Sequence, residues 1–237
     1  MAAVAQAYVT PEFSRQVSVT SYKEGSATVT RMQGCIPVGY VHIDPDAPTS
    51  LYNPFALFTG ADNVCTVSLN IGVFPSVSQE FRTFSSFCRF KFRTARLLLR
   101  GMVNSNAVGG LSVSYYADGG LAGNTTVSQS IITNIVNFAP SAQSFPTWVP
   151  AVAVDGTKFL DQRDWFYVDA QGAADLSPST ARQATQGSFV GKFETVPATA
   201  GNYMKIYLEY TVDLTQPRPY VDAAPGDWKE LHVEDEE

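Results

Sequence analysis

A reactive site in this chain would have to draw on two histidines, three cysteines and a few well-placed carboxylates. His232 lies among acids near the C-terminus, and His42 precedes Ile43-Asp44-Pro45-Asp46 at the end of an apolar run, where a structural or solvated role fits. Cys35, Cys65 and Cys88 are odd in number, widely spaced and free of any C-x-x-C pair. They read as small buried hydrophobes in a reducing compartment rather than a disulfide framework or zinc site. No G-x-S-x-G, P-loop or H-E-x-x-H pattern occurs, so no nucleophile elbow, phosphate cradle or zincin helix is in place. Gly109-Gly110 and Gly119-Gly120 fit turns. The chain is therefore expected not to be an enzyme. Asp118, in YYADGG, has two readings: an Asp-Gly turn, or one ligand of a hard cation such as Ca2+ shared with carboxylates of a neighbouring subunit.

The chemistry that stands out is cationic. Arg82, Arg89, Lys91, Arg93, Arg96 and Arg100 fall within residues 82–100, which hold no acid. Their side chains suit nucleic-acid phosphates, whose counterions they would displace. The competing reading is a solvated strand face with its counter-charges elsewhere in the fold. The net charge of −6 conceals this stretch, because seven acids and one base, Lys229, lie between Asp222 and Glu237. Residues 1–221 are balanced, with 15 bases and 15 acids. Local asymmetry of this kind says more about partners than the total does, and the acidic end reads as a solvated tail held away from any nucleic acid.

The elements that must position the basic run are strands. β-branched and aromatic residues make up about a third of the chain, against 13 leucines, a balance that favours sheet. Alternation places Cys65, Val67, Leu69, Ile71 and Val73 on one face of 64–73 and Thr66, Ser68 and Asn70 on the other. In 203–214 it sets Met204, Ile206, Leu208, Tyr210, Val212 and Leu214 against Tyr203, Lys205, Tyr207, Glu209, Thr211 and Asp213. One wet and one buried face is the mark of antiparallel sheet. Within 88–100 the apolar positions change phase: Cys88, Phe90 and Phe92 are even, whereas Ala95, Leu97 and Leu99 are odd. A β-bulge near Arg93–Thr94 restores a single buried face and gathers Arg89, Lys91, Arg93, Arg96 and Arg100 into one stripe on the other. Further strands are expected near 26–32, 36–43, 111–117, 146–154, 164–169 and 188–196, with short helices over 76–87 and 126–136. Turn clusters at Asp44-Pro45-Asp46, Asn104-Ser105-Asn106, Asp118-Gly119-Gly120 and Asp155-Gly156 punctuate them.

At 237 residues with 45% apolar content, a single all-β domain is the expectation. Residues 1–25 read as an N-terminal arm, 26–219 as the folded body and 220–237 as the acidic tail. No apolar run is long enough for a membrane helix. The start, MAAVAQAYVTPEF, lacks the basic and apolar regions of a secretory signal, and without a secretory route the sequon Asn124–Thr126 reads as coincidence.

Three motifs and their order carry a resemblance. F-x3-CRFKF leads into the basic strand, GGLSVSYYAD follows, and YLEYTVDLTQP closes the pattern. Over roughly residues 60–217 the chain resembles the single jelly-roll capsid (coat) proteins of small icosahedral plus-strand RNA viruses, of tombusvirus and sobemovirus type. The resemblance implies an eight-stranded antiparallel jelly-roll sandwich with one or two short helices. It also implies a subunit that assembles with copies of itself into a large symmetric shell, in the virion, around single-stranded genomic RNA, after assembly in the host cytoplasm. The family's long Arg/Lys-rich arm has no counterpart here, which transfers weak, sequence-independent RNA contact to the 82–100 stripe. Of the family's paired calcium aspartates only Asp118 matches. The alternative is a β-sandwich carbohydrate- or ligand-binding module, with Tyr115, Tyr116 and Trp165 as stacking surfaces.

Overall fold

In the computed structural model the described residues are 15–43, 64–75, 78–102, 110–119, 141–144, 152–161, 163, 165–168, 178–193 and 201–218. They form two antiparallel sheets. The strands are β1 (Arg15–Glu24), β2 (Ala27–Ile43), β3 (Val64–Ser68), β4 (Phe87–Gly101), β5 (Leu111–Tyr116), β6 (Ser141–Ser144), β7 (Val152–Asp155), β8 (Phe166–Tyr167), β9 (Ser188–Phe193) and β10 (Gly201–Pro217). One sheet has the order β1-β2-β10-β4-β7, with β8 also pairing β4, and the other has the order β3-β9-β5-β6. Neighbours within a sheet are therefore mostly distant in sequence, while the chain passes repeatedly between the two layers. That is the strand order of a jelly roll.

The core lies between the layers, as two half-wet sheets require. Met32, Ile36, Leu97, Leu99, Ile206, Leu208 and Val212 face it from the first sheet, and Val67, Val113 and Phe189 from the second. An aromatic cluster anchors one end: Phe84 packs on Phe74 and Phe90 at ring-centroid distances of 5.2 and 5.0 Å, and Tyr210 meets Phe74 edge-on at 5.1 Å. Phe84 comes from α1 (Gln79–Ser85), whose N-cap is Ser78. The Ser78 hydroxyl accepts the Phe81 N–H at 3.0 Å, so the cap stands two residues later than the expected helix start at 76. Complete burial of Phe84 stabilises the fold by roughly 2–3 kcal/mol.

Three expectations change. The strand expected over 64–73 stops at Ser68, and Ile71–Val73 form a 3-10 turn. The Asn70 side chain accepts the Gly72 N–H at 2.8 Å, a local bond that competes with the ladder. Tyr203, expected on the wet face of the last strand, is buried in the core beside Met204, because the β10 register shifts between Asn202 and Met204. The expected arm contributes β1 from Arg15 onward; β1 turns at Gly25, whose φ is +61°, and pairs with β2 from Glu24↔Ala27 to Arg15↔Cys35. The helix expected over 126–136 and the acidic tail lie outside the described residues. A second helix, α2 (Pro178–Ala184), had no clear signal in the sequence.

Among the described residues β4 has no continuous partner on its outer side: β8 pairs Arg89 and Phe90, and β7 pairs Arg96 to Leu99. The gap is closed by a side chain. Gln186, 1% exposed, accepts the Phe92 N–H at 2.6 Å and donates to the Phe92 carbonyl at 3.0 Å, occupying the place of a missing strand residue. It donates also to the Asp161 carbonyl at 3.0 Å. Its own backbone is tied to the second sheet, with its N–H on the Leu69 carbonyl and its carbonyl receiving the Tyr115 hydroxyl at 3.0 Å. Gly187 follows with φ +142°, and a Cβ there would lie 2.0 Å from the Tyr115 hydroxyl. Only glycine fits that approach.

Candidate nucleic-acid interface

The outer face of the first sheet is where the basic residues converge. The β4 register against β10 slips between Thr211↔Thr94 and Val212↔Phe92, leaving Arg93 as the extra residue. This is the bulge that the phase change in the sequence required. It keeps Phe90, Phe92, Ala95, Leu97 and Leu99 in the core and turns Arg89, Lys91, Arg93, Arg96 and Arg100 to the other side. Arg82 does not join them, because it lies in the last turn of α1.

The centre of this face is internally neutralised. Asp213 of β10 has no exposed side-chain surface and accepts four hydrogen bonds. These come from Arg31 Nε at 2.7 Å and Nη2 at 2.9 Å, from Arg93 Nε at 2.6 Å and from the Tyr22 hydroxyl at 2.8 Å. One carboxylate thereby joins β1, β2, β4 and β10. Burial pushes the Asp213 carboxyl up, but the bonds from Arg31, Arg93 and Tyr22 outweigh it and hold the group below the usual carboxylate range. Glu24 of β1 adds a longer ion pair to Arg93, at 3.6 Å. Arg96 is likewise engaged, by Glu209 at 2.7 Å and Asp155 at 3.9 Å. A polar cleft of about 460 Å³ opens here, lined by Arg96, Asp155, Glu209, Gln33, Thr94 and Thr211 among others.

The two ends of the face differ from its centre. At one end the Arg89 guanidinium lies 5.2 Å from the ring centroid of Tyr167, which is 50% exposed. At the other end Arg100 is the direct register partner of Lys205. The Lys205 ammonium lies 5.2 Å from the Tyr207 ring centroid and 5.9 Å from that of Tyr40. Among the described residues neither Arg100 nor Lys205 forms an ion pair.

Of the six basic residues singled out in the sequence, β4 thus brings five together, and among the described residues Arg93 and Arg96 meet carboxylates of the same chain. Alternation had placed Glu209 and Asp213 on the wet face but did not reveal which cations they would meet. Lys205 stood on that same face, outside the basic run. Tyr22, Glu24 and Arg31 carried no signal, since a hairpin partner contributes to a site only once its register is known.

Asp118 lies elsewhere. Arg182 of α2 grips its carboxylate with two bonds, Nε to Oδ1 at 2.8 Å and Nη2 to Oδ2 at 3.1 Å. Among the described residues no group of three or more His, Cys, Asp or Glu is placed to hold a metal ion. Of the aromatics considered for ligand stacking, Tyr115 is unsuited: it is 3% exposed, packed on Phe189 and bonded to the Gln186 carbonyl. Cys35 is buried and Cys88 half-buried.

Strand order and two-layer core together define a jelly-roll sandwich. The structure is similar to that of tobacco necrosis virus, with a TM-score of 0.58 and 12% identity over 86% of this chain and 90% of that one. It is similar also to the mud crab tombus-like virus structure, with a TM-score of 0.57 and 14% identity over 85% and 96% of the two chains. A third similar structure is the semi-empty virus-like particle of the nodavirus of the giant freshwater prawn Macrobrachium rosenbergii, with a TM-score of 0.56 and 12% identity over 92% and 96%. No protein-family model matches the chain, and no curated protein sequence matches it. The fold is that of capsid jelly rolls.

Proposed function

We propose that this chain is a viral capsid subunit that assembles with copies of itself into an icosahedral shell enclosing single-stranded RNA, and that it acts in the virion after assembly in the host cytoplasm. The observation that carries this reading is the alternating-sheet strand order, together with the structural similarity to mud crab tombus-like virus and tobacco necrosis virus over 85% and 86% of the chain. A shell subunit needs a rigid two-sheet frame and lateral faces that recognise copies, and closed symmetry multiplies modest contacts. It needs no convergent acid, base and nucleophile. RNA contact is assigned to the outer face of the first sheet, to Arg89, Lys91, Arg93, Arg96 and Arg100, of which Arg93 and Arg96 also meet carboxylates. Arg82 would contribute from α1 only if that helix also faces the genome.

Negative-stain microscopy of the expressed protein tests the reading. Closed particles of uniform diameter are expected at one or more combinations of pH, salt and added RNA. Monomers alone under all of them would overturn it.

A further inference from the structure

We propose that Arg100 and Lys205, framed by Tyr40 and Tyr207, form the subsite that holds a phosphodiester of single-stranded RNA; this rests on the capsid reading and names the place where that face meets the genome.

The reasoning starts from charge placement in the sheet. Arg100 of β4 and Lys205 of β10 are direct register partners, so their Cβ atoms stand ~5 Å apart on one face, and like charges so placed destabilise a sheet. Elsewhere on this face the fold resolves such crowding with carboxylates: Asp213 sits between Arg31 and Arg93, and Glu209 meets Arg96. At Arg100 and Lys205 the described residues supply none. A bridging anion removes the repulsion and gains charge-assisted bonds from both side chains.

The surroundings suit an anion with an extended backbone. Tyr207 is 7% exposed and packed with Leu98 and Cys35, and Tyr40 stands across β2 as the direct partner of Lys205. The electron-rich faces of the two rings attract the ammonium, which confines a flexible lysine without consuming its charge. The next polar groups along β4 are the Arg96–Glu209 pair and the cleft beside it. Arg89 and Tyr167 close the same face at the far end of the strand. The track of β4 therefore offers a polymer one strong phosphate contact at Arg100/Lys205, a neutral polar stretch, and a second cation at Arg89. A small free anion gains only the first, which is why a polymer is the occupant assigned.

The test uses the full chain and a fluorescent oligouridylate, with binding followed by anisotropy from ~0.05 to 0.2 M salt. A single lost phosphate contact on a single strand lowers the salt slope by about 0.7 and the affinity at 0.05 M by about eightfold. The double variant Arg100→Gln/Lys205→Gln is expected to show both changes. The charge-matched control Lys23→Gln/Lys158→Gln, at two exposed positions, is expected to keep the wild-type slope and to lose less than about threefold. Inorganic phosphate should compete with RNA on the wild type only at far higher concentration. Equal losses in the two double variants, or an unchanged slope in Arg100→Gln/Lys205→Gln, would overturn the subsite while leaving particle formation and wild-type RNA binding intact. Particles that form but bind no RNA in the wild type would overturn the RNA reading itself. Displacement of RNA by phosphate at equal concentration would mark a small-anion site and refute the polymer assignment.

Discussion

Replacing Gln186 by leucine removes the one side chain that stands in for a missing strand beside β4. The substitution conserves most of the volume and all of the backbone, so its effect isolates the amide. Two groups of one peptide unit lose their partners, the Phe92 N–H and C=O, bonded at 2.6 and 3.0 Å, and so does the Asp161 carbonyl at 3.0 Å. A buried backbone group left unpaired costs about 1–3 kcal/mol. Asp161 is half-buried and can recruit water, so the loss rests on the two Phe92 groups, about 3–4 kcal/mol in total. For a chain of this size that lowers Tm by roughly 6–16 °C. Urea unfolding of the monomeric chain, under conditions where no particles are seen, measures the change without a contribution from contacts between copies. Hydrogen exchange at the Phe92 amide should rise in parallel, since its acceptor is gone. A loss below about 1 kcal/mol with unchanged protection at Phe92 would refute the assignment of Gln186 as the closure of the sheet. Fully retained stability would also show that the two layers do not depend on this rivet.

Two further outcomes follow from the outer face and from Asp118. Because the Asp213 carboxyl is held below its ordinary range, its contribution to stability is complete above the unfolded value near about 4 and fades as pH falls through the lower folded value. Asp213→Asn should therefore cost about 2–3 kcal/mol at neutral pH, a figure reduced for the partial exposure of both arginines. Wild type and variant should converge in acid; a difference independent of pH, read from urea titrations between pH 7 and 3, would contradict the charge-based account. Since Arg182 already grips Asp118 through both carboxylate oxygens, added Ca2+ or its chelation should leave the melting of assembled particles unchanged, while Arg182→Ala should make it calcium-sensitive if a neighbouring subunit supplies further carboxylates. A calcium-dependent rise in wild-type melting that Asp118→Asn abolishes would reverse that expectation.

Much of the fold is written in local periodicity. Alternation along 203–214 and the phase change at Arg93–Thr94 are one-dimensional patterns, because a strand buries every second residue and a bulge shifts that count by one. They specified β10, β4 and the bulge between them, and with these the stripe of Arg89, Lys91, Arg93, Arg96 and Arg100. What periodicity cannot carry is which strands lie side by side. Asp213 meets Arg31, 182 residues away, and Lys205 meets Arg100 only because β10 runs between β2 and β4. Those pairings decide which cations are already neutralised and which remain for a partner. The exchange of a strand for a side chain at Gln186 was equally invisible, since a glutamine beside a glycine has no periodic signature. Residue types and spacing determined the layers and their wet and dry faces; the charge available on the wet face was decided by register between distant strands, because electrostatic attraction acts through space.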